Sequence, residues 1–297
     1  MLTFPESCKR TVAILVTALV LQNCAPKKIV SSTSKYPPLS EAETFIVFTE
    51  EDPIDISGEE IIGEIRMKDN GLSLNCSYES ILAIALKEAR HMGANGLKIY
   101  EHQVPDTWST CHRIKAKAIR LQNAKQYEKE IIWQPGRRLE KADFKGPVEN
   151  RPHQAATMSF IRYNIDALAP FSSKFTFRVQ TVFDCRSSYL KDGYNPEQVL
   201  EHEQGHFDIT ELFARKYLKA IQEQVHDLRE FEKNHTRIYQ EIQEALILGQ
   251  DNYDSDIYAD ISKQKGWLEK INQELKTLEV YSDKKIELPV VNKDRDK

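Results

Sequence analysis

The sequence carries no excess of positive charge: 41 Lys and Arg stand against 45 Asp and Glu, a formal net charge of −4. Nucleic-acid binding draws on a basic surface that neutralises phosphates, so this balance excludes that class of partner. No long low-complexity stretch is present. The longest early apolar run, residues 12–21, falls well short of the roughly 20 residues that a membrane-spanning helix needs. Cysteine is scarce, at five in 297 residues. What remains is ordinary: 40% hydrophobic residues can build normal cores, and the length suits two modest domains or one large one.

The short apolar run has another use. Lys9 and Arg10 precede it as a positive segment, and the pattern suits a signal peptide. It ends at Leu21-Gln22-Asn23-Cys24, which resembles the lipobox of bacterial lipoproteins, where the Cys becomes the lipidated first residue. Asn23 departs from the small residue usual before that Cys, and a plain signal peptide with an incidental Cys24 is the other reading. The expectation is therefore a leader over residues 1–23, a lipid anchor on Cys24 and a flexible Ser/Pro/Lys-rich tether over 24–43. Ala25 is not the acidic residue associated with inner-membrane retention, which favours the outer membrane of a bacterial envelope. Export would discard Cys8 and lipidation would use Cys24. Cys76 and Cys111 can then pair in an oxidising compartment, leaving Cys185 as a buried apolar residue.

Periodicity predicts an α+β protein. Over residues 44–123, short strands at 44–48 and 61–67 precede a helix at 78–92 that Gly93 stops, followed by strands at 97–100 and 114–121. The order ββαββ places one helix on a small antiparallel sheet. The stretch 89–96 looks like small envelope lipoprotein domains and implies no chemistry. His91, His102 and His112 have no His or carboxylate partner at ligand spacing and read as surface residues. A polar connection at 123–130 leads into a second domain over 129–278, with strands at 158–163 and 175–183. The latter puts Phe175, Phe177, Val179 and Thr181 on one face and could offer an edge to an extended substrate. From Pro196 one long helix is expected to reach about Leu248, ended by Gly249, with a further helix over 255–277. A loose polar tail is expected over 279–297.

The chemistry lies at His202-Glu203-Gln204-Gly205-His206. On a helix, residues four apart stand one turn above each other, so both imidazoles can hold one Zn2+. Glu203 beside them is placed to take a proton from water that the metal activates. The bland reading is a helix with two solvated histidines and a surface Glu. Gly205 costs helix stability of about 1 kcal/mol against Ala, which close packing at the metal would explain. Asp208 and Glu211 are candidates to hold an imidazole's second N–H, or are plain helix surface.

Three segments resemble the bacterial domain of unknown function 922: Lys141 to Pro147, the strand ending Phe183-Asp184, and above all Glu201-His202-Glu203-Gln204-Gly205-His206-Phe207-Asp208-Ile209. The resemblance covers about residues 129–275. It implies a zincin-like fold, a zinc cofactor, an extracytoplasmic location and an endopeptidase role without a known substrate. It also implies a third histidine in a downstream segment that begins Tyr-Asp. Here that segment reads Tyr253-Asp254-Ser255-Asp256-Ile257-Tyr258-Ala259-Asp260, with Ala259 where the histidine would fall. Asp254, Asp256 or Asp260 could serve instead, and His226, His235, Glu241 and Glu244 are further donors downstream. Tyr253 can stabilise an oxyanion or simply pack.

The expectation is thus a lipid-anchored zinc peptidase with His202 and His206 as metal ligands, Glu203 as general base and a peptide or protein as substrate. The alternative is a catalytically inactive lipoprotein that keeps the fold as a binding or assembly module. A cell-wall amidase is a third, minor reading, and the oligomeric state stays open.

Overall fold

The computed structural model describes residues 26–291 except 34–35, 41–42, 53–55, 72–75, 166–172 and 194. The expected leader and the lipidation residue Cys24 lie outside the described residues. No described helix is long and apolar enough to cross a membrane. The chain divides into two compact units, Met1–Tyr127 and Glu128–Lys297, and its mixture of helices and sheets makes it α+β.

The first unit is a five-stranded sheet with one helix on it. Its strands are β1 (Lys27–Ser32), β2 (Ile46–Phe48), β3 (Glu60–Lys68), β4 (Gly96–Gln103) and β5 (Arg113–Arg120), in the spatial order β1-β3-β5-β4-β2. Helix α1 (Tyr78–His91) begins at Ser77, whose hydroxyl accepts from the Ser80 N–H, and gives way at Gly93 with a φ of 81°. In β5, Ile114, Ala116 and Ala118 alternate inward with Lys115 and Lys117, and they meet Ile81, Ala85 and Ala89 of α1.

Two expectations change here. Residues 27–32 are an edge strand, paired antiparallel with β3 from Lys27↔Lys68 to Ser32↔Gly63, rather than part of a tether. Backbone pairing holds it in place although its side chains are exposed, and burial was the only signal the sequence could have given. The sheet is also mixed rather than antiparallel, because β2 pairs parallel with β4. Passing through α1 brings β4 back in the direction of β3, and β2 shares that direction.

The Cys76 and Cys111 sulfurs form a disulfide that ties the start of α1 to the entry of β5 across 35 positions. His102 and His112, separate in sequence, meet with Nε2 and Nδ1 2.9 Å apart because β4 and β5 are neighbours.

The second unit places three helices on a sheet whose central strand is β9 (Lys174–Asp184). Strand β8 (Ser159–Ile165) pairs with β9 over Phe177–Phe183. Strands β6 (Glu130–Ile132) and β11 (Lys285–Pro289) pair with its C-terminal and N-terminal parts. β9 is therefore an interior strand and offers no edge to a substrate. A separate ribbon joins β7 (Ala155–Ala156) to β10 (Tyr189–Leu190). Phe175, Phe177, Val179 and Thr181 of β9 are buried, as the alternation predicts.

Helix α2 (Pro196–Gln224) starts with Pro196 at its first position. It does not run on to Leu248. Val225 turns extended, and Asp227 caps a new helix, α3 (Leu228–Ala259), by accepting from the Glu230 N–H at 2.8 Å. The Glu230 carboxylate in turn accepts from the His226 N–H at 2.9 Å. The two carboxylates satisfy backbone N–H groups at the entry of α3, which favours a new helix starting there. Helix α3 passes straight through Gly249, and α4 (Gln264–Thr277) follows a short turn.

The described part of the expected polar tail, residues 279–291, is also part of the fold. Lys285-Ile286-Glu287-Leu288 alternates, Leu288 is buried, and Lys284 donates to the Trp133 carbonyl at 2.8 Å.

Closing a loop of this length with a disulfide is worth on the order of 4 kcal/mol. Reduction, or Cys76→Ser, should lower the stability of the first unit by about that much and leave the second unit's transition in place. Hydrogen exchange of the full chain, read separately in β3–β5 and in α2, checks this. Equal loss of protection in both units would contradict it.

Candidate metal centre

Helix α3 folds back along α2, so that its last turns lie beside the first turns of α2. Gln250 and Tyr253 meet His206 and His202, while Tyr239 meets Tyr217 further down. A glycine on each helix permits this closeness. A Cβ on Gly205 would fall onto the Tyr253 hydroxyl, and one on Gly249 would stand 3.0 Å from the Phe213 ring. Gly249 thus marks a helix crossing and not a helix end.

The fold-back completes a three-donor cluster. His202 Nε2 and His206 Nε2 lie 3.1 Å apart, and each is 3.0 Å from Asp254 Oδ1. Among the described residues this is the one cluster of three or more such donors positioned to hold a metal. Donors at about 2.0–2.1 Å from a tetrahedral zinc stand roughly 3.3 Å from each other, so the three atoms fit that ion closely. Asp254 Oδ1 is buried and faces both Nε2 atoms at ion-pair distance, with no further partner among the described residues. Three ligand atoms this close, with the two Nε2 atoms also within hydrogen-bond distance of each other, form a cradle that a cation would fit.

Of the three expected aspartates, only Asp254 reaches the histidines. Asp256 pairs with Lys263 at 2.7 Å and accepts from Trp267 at 3.0 Å. Asp260 accepts from Ser262 at the start of the turn before α4. The other downstream donors are elsewhere. His235 binds the Phe231 carbonyl and stacks on that ring, the His226 backbone belongs to the α3 cap, and Glu241 pairs with Arg237.

The partners of the two imidazoles differ. Gln250 Oε1 accepts from His206 Nδ1, and Gln250 Nε2 donates to the His206 carbonyl at 3.0 Å. This fixes the tautomer that leaves Nε2 free to ligate. His202 Nδ1 is buried without a partner among the described residues, and the His202 ring lies stacked on Tyr253 at 4.9 Å. Tyr253 is a packing residue, whose hydroxyl donates to the His202 carbonyl at 3.2 Å.

Asp208 and Glu211 do not hold the imidazoles. Positions 204, 208, 211 and 215 follow one face of α2, turned away from 202 and 206. On that face Asp208 accepts from Trp133 and Gln204, each at 2.7 Å. Glu211 accepts from Thr181 at 2.6 Å and Arg215 at 2.9 Å.

Glu203 is buried, and its Oε2 has no hydrogen-bond partner among the described residues. Burial pushes its carboxyl up, against the opposing pull of His206, Thr157 and His202. Burial alone would also raise Asp254, but the two adjacent imidazoles outweigh it and hold that carboxyl well below its usual range. His206 is raised, since Asp254, Glu203 and Gln250 together overcome its burial.

A cleft of about 340 Å3 opens beside the cluster, lined by His206, Asp254, Gln250, Tyr258 and the segment from Ala155 to Ser159. His153 and Tyr258 are exposed residues at this cleft to which the sequence assigned no role. Neither belongs to a spaced motif. Gln250 was missed for the same reason, since a glutamine on a helix carries no signal by itself.

No protein-family model, curated protein or solved structure matches the chain.

Gly205→Ala should destabilise the protein by about 1–3 kcal/mol through overpacking against Tyr253, although alanine is the better helix former. Chemical denaturation of the two proteins measures the difference. A stabilised variant would contradict the close approach described.

Proposed function

We propose that the second unit is a zinc-dependent peptidase, acting on a peptide or protein from a lipid-anchored position in a bacterial envelope. The observation that carries this reading is the convergence of His202 Nε2, His206 Nε2 and Asp254 Oδ1, with the buried Glu203 next to them on the same helix. The likeness of this helix to the domain of unknown function 922 supports it, with Asp254 standing in for a histidine. The lipid anchor rests on the Cys24 motif alone.

Held by His202, His206 and Asp254, a zinc ion would supply Lewis acidity for a carbonyl and lower the pKa of a water. The chain's own residues would do the rest. Glu203, with proton affinity raised by burial, accepts a proton from the attacking water and delivers it to the leaving amine. Gln250 holds His206 in the ligating tautomer. The segment 155–159 lines the cleft, with Ala155 and Ala156 tied to β10 and the Thr157 hydroxyl donating to the Glu203 carbonyl at 3.2 Å. It suits an extended peptide laid beside it, a role the sequence had suggested for β9. The inactive alternative drew its motive from the missing third histidine, and Asp254 supplies a donor in its place.

The full chain should bind one zinc per molecule, measured by elemental mass spectrometry after dialysis. Asp254→Ala should weaken binding more than about 100-fold, beyond what outer-shell changes do, while Asp256→Ala and Asp260→Ala leave it unchanged. Glu203→Gln should keep the zinc and lower peptide hydrolysis by at least about 100-fold. A chain without zinc, or one indifferent to Asp254→Ala, would favour the binding-module reading.

A further inference from the structure

One end of the first unit's sheet is closed by a row of paired residues. Lys27 pairs with Lys68 between β1 and β3, and Gln103 pairs with Arg113 between β4 and β5. Lys68 falls opposite Arg113, one step beyond the pair Met67↔Ile114. The chain before Lys27 and the loop 104–112 between β4 and β5 both leave the sheet beyond this row. Cys24 precedes Lys27 by three residues, so the chain cannot carry it more than about 11 Å from the row. The loop springs from strands two and three places along the sheet, about 10–15 Å from Lys27.

That loop is firmly held. Asp106 accepts from the Trp108 N–H at 2.7 Å and the Ser109 N–H at 3.0 Å, and its own N–H donates to the Ser109 carbonyl at 2.8 Å. Arg113 donates to the Val104 carbonyl at 3.0 Å and to Asp106 at 2.6 Å. The Ser109 hydroxyl donates to Asp69 at 2.7 Å, and Cys111 is fixed by its disulfide. Yet the side chain of Trp108 is 93% exposed and that of Val104 is 60% exposed. Single exposed apolar side chains are ordinary on a protein surface. Here a bonded frame holds out the most exposed large hydrophobic residue described, at the end of the sheet nearest Cys24.

We infer that this end of the first unit docks on the bilayer, with Trp108 and Val104 seated at the boundary between headgroups and acyl chains. The inference rests on the Cys24 anchor of the proposed function, which brings the same end of the sheet to the membrane. Tryptophan favours that depth because its ring is apolar while its indole N–H still finds polar partners. Charge contributes little. A cleft of about 540 Å3 beside Trp108 mixes Lys68 and Arg113 with Asp69 and Glu101, and Arg113 is already paired with Asp106. Attraction to anionic headgroups alone would call for an excess of basic side chains.

The test uses the protein as matured in a bacterial envelope, reconstituted into phosphatidylcholine vesicles whose brominated acyl chains quench tryptophan on contact. Of the three tryptophans, Trp133 is buried and Trp267 half-buried, so the difference between wild type and Trp108→Phe isolates Trp108. That emission should be quenched relative to vesicles without bromine, and the quenching should persist in high salt, which screens exposed charges. In the Trp108→Phe background, Gln122→Trp places a probe beyond the far end of β5, about 25 Å away, where it should stay unquenched. Both substitutions are at exposed side chains and leave the core intact. The mass of the N-terminal peptide reads the anchor separately. A Cys24 without acyl chains would overturn the anchor, and the docking with it. An acylated protein whose Trp108 is unquenched, as contact with a protein partner would leave it, would overturn the docking alone. Equal quenching at 108 and 122, or quenching that salt abolishes, would do the same.

Discussion

The contact between α2 and α3 at Gly205 and Gly249 is the constraint on which the second unit depends. Tyr253 occupies the space a side chain at 205 would need, and Phe213 lies over Gly249. Each glycine sacrifices helix propensity, and the packing it permits sets the spacing of the two helices. At that spacing Gln250 reaches both the ring and the backbone carbonyl of His206, and Asp254 reaches both imidazoles. A wider separation would leave two histidines and a distant aspartate.

The opposite face of α2 keeps the His202 and His206 face in place. Gln204, Asp208, Glu211 and Arg215 are all buried there. Gln204 accepts from the Leu139 N–H, Asp208 from Trp133, and Glu211 from Thr181 of β9. Arg215 and Lys284 lie over the Trp133 ring at 5.5 and 5.4 Å, and Arg215 also donates to the Leu275 carbonyl at 2.9 Å. These buried charges are tolerated because each has partners of good geometry, and polar partners fix register where apolar contacts would allow sliding. Sheet, tail and α4 therefore all bear on the rotation of α2 about its own axis. That rotation decides where His202 and His206 point.

The first unit follows a simpler scheme of one helix on one face of a sheet, closed by a disulfide. Its residues form a core of their own, centred on Ile65, Ile81, Leu97 and Ala116. Tyr127 packs edge-on against Phe48 at 5.3 Å, which assigns the connecting turn at 124–127 to this unit. The metal chemistry proposed for the second unit draws on no residue of the first.

Much of this was legible in the chain. The helix at 78–91, its stop at Gly93, the alternation of β5 and β9 and the pairing of two histidines four apart are local patterns, and local patterns are set by backbone geometry. The edge strand at 27–32 and the closing strand at 285–289 were not, because one buries no side chains and the other contributes a short pattern within a charged segment. The helix break at 225–227 was written in Asp227 and Glu230 but was masked by an apolar stripe that continues across it. By itself the sequence determined that His202, Glu203 and His206 share one helix and that several carboxylates follow. Which of them joins the site was decided only by the tertiary structure. On one unbroken helix Asp254 would stand about 70 Å from His206, whereas the turn at Val225 and the two glycine contacts bring it to 3.0 Å.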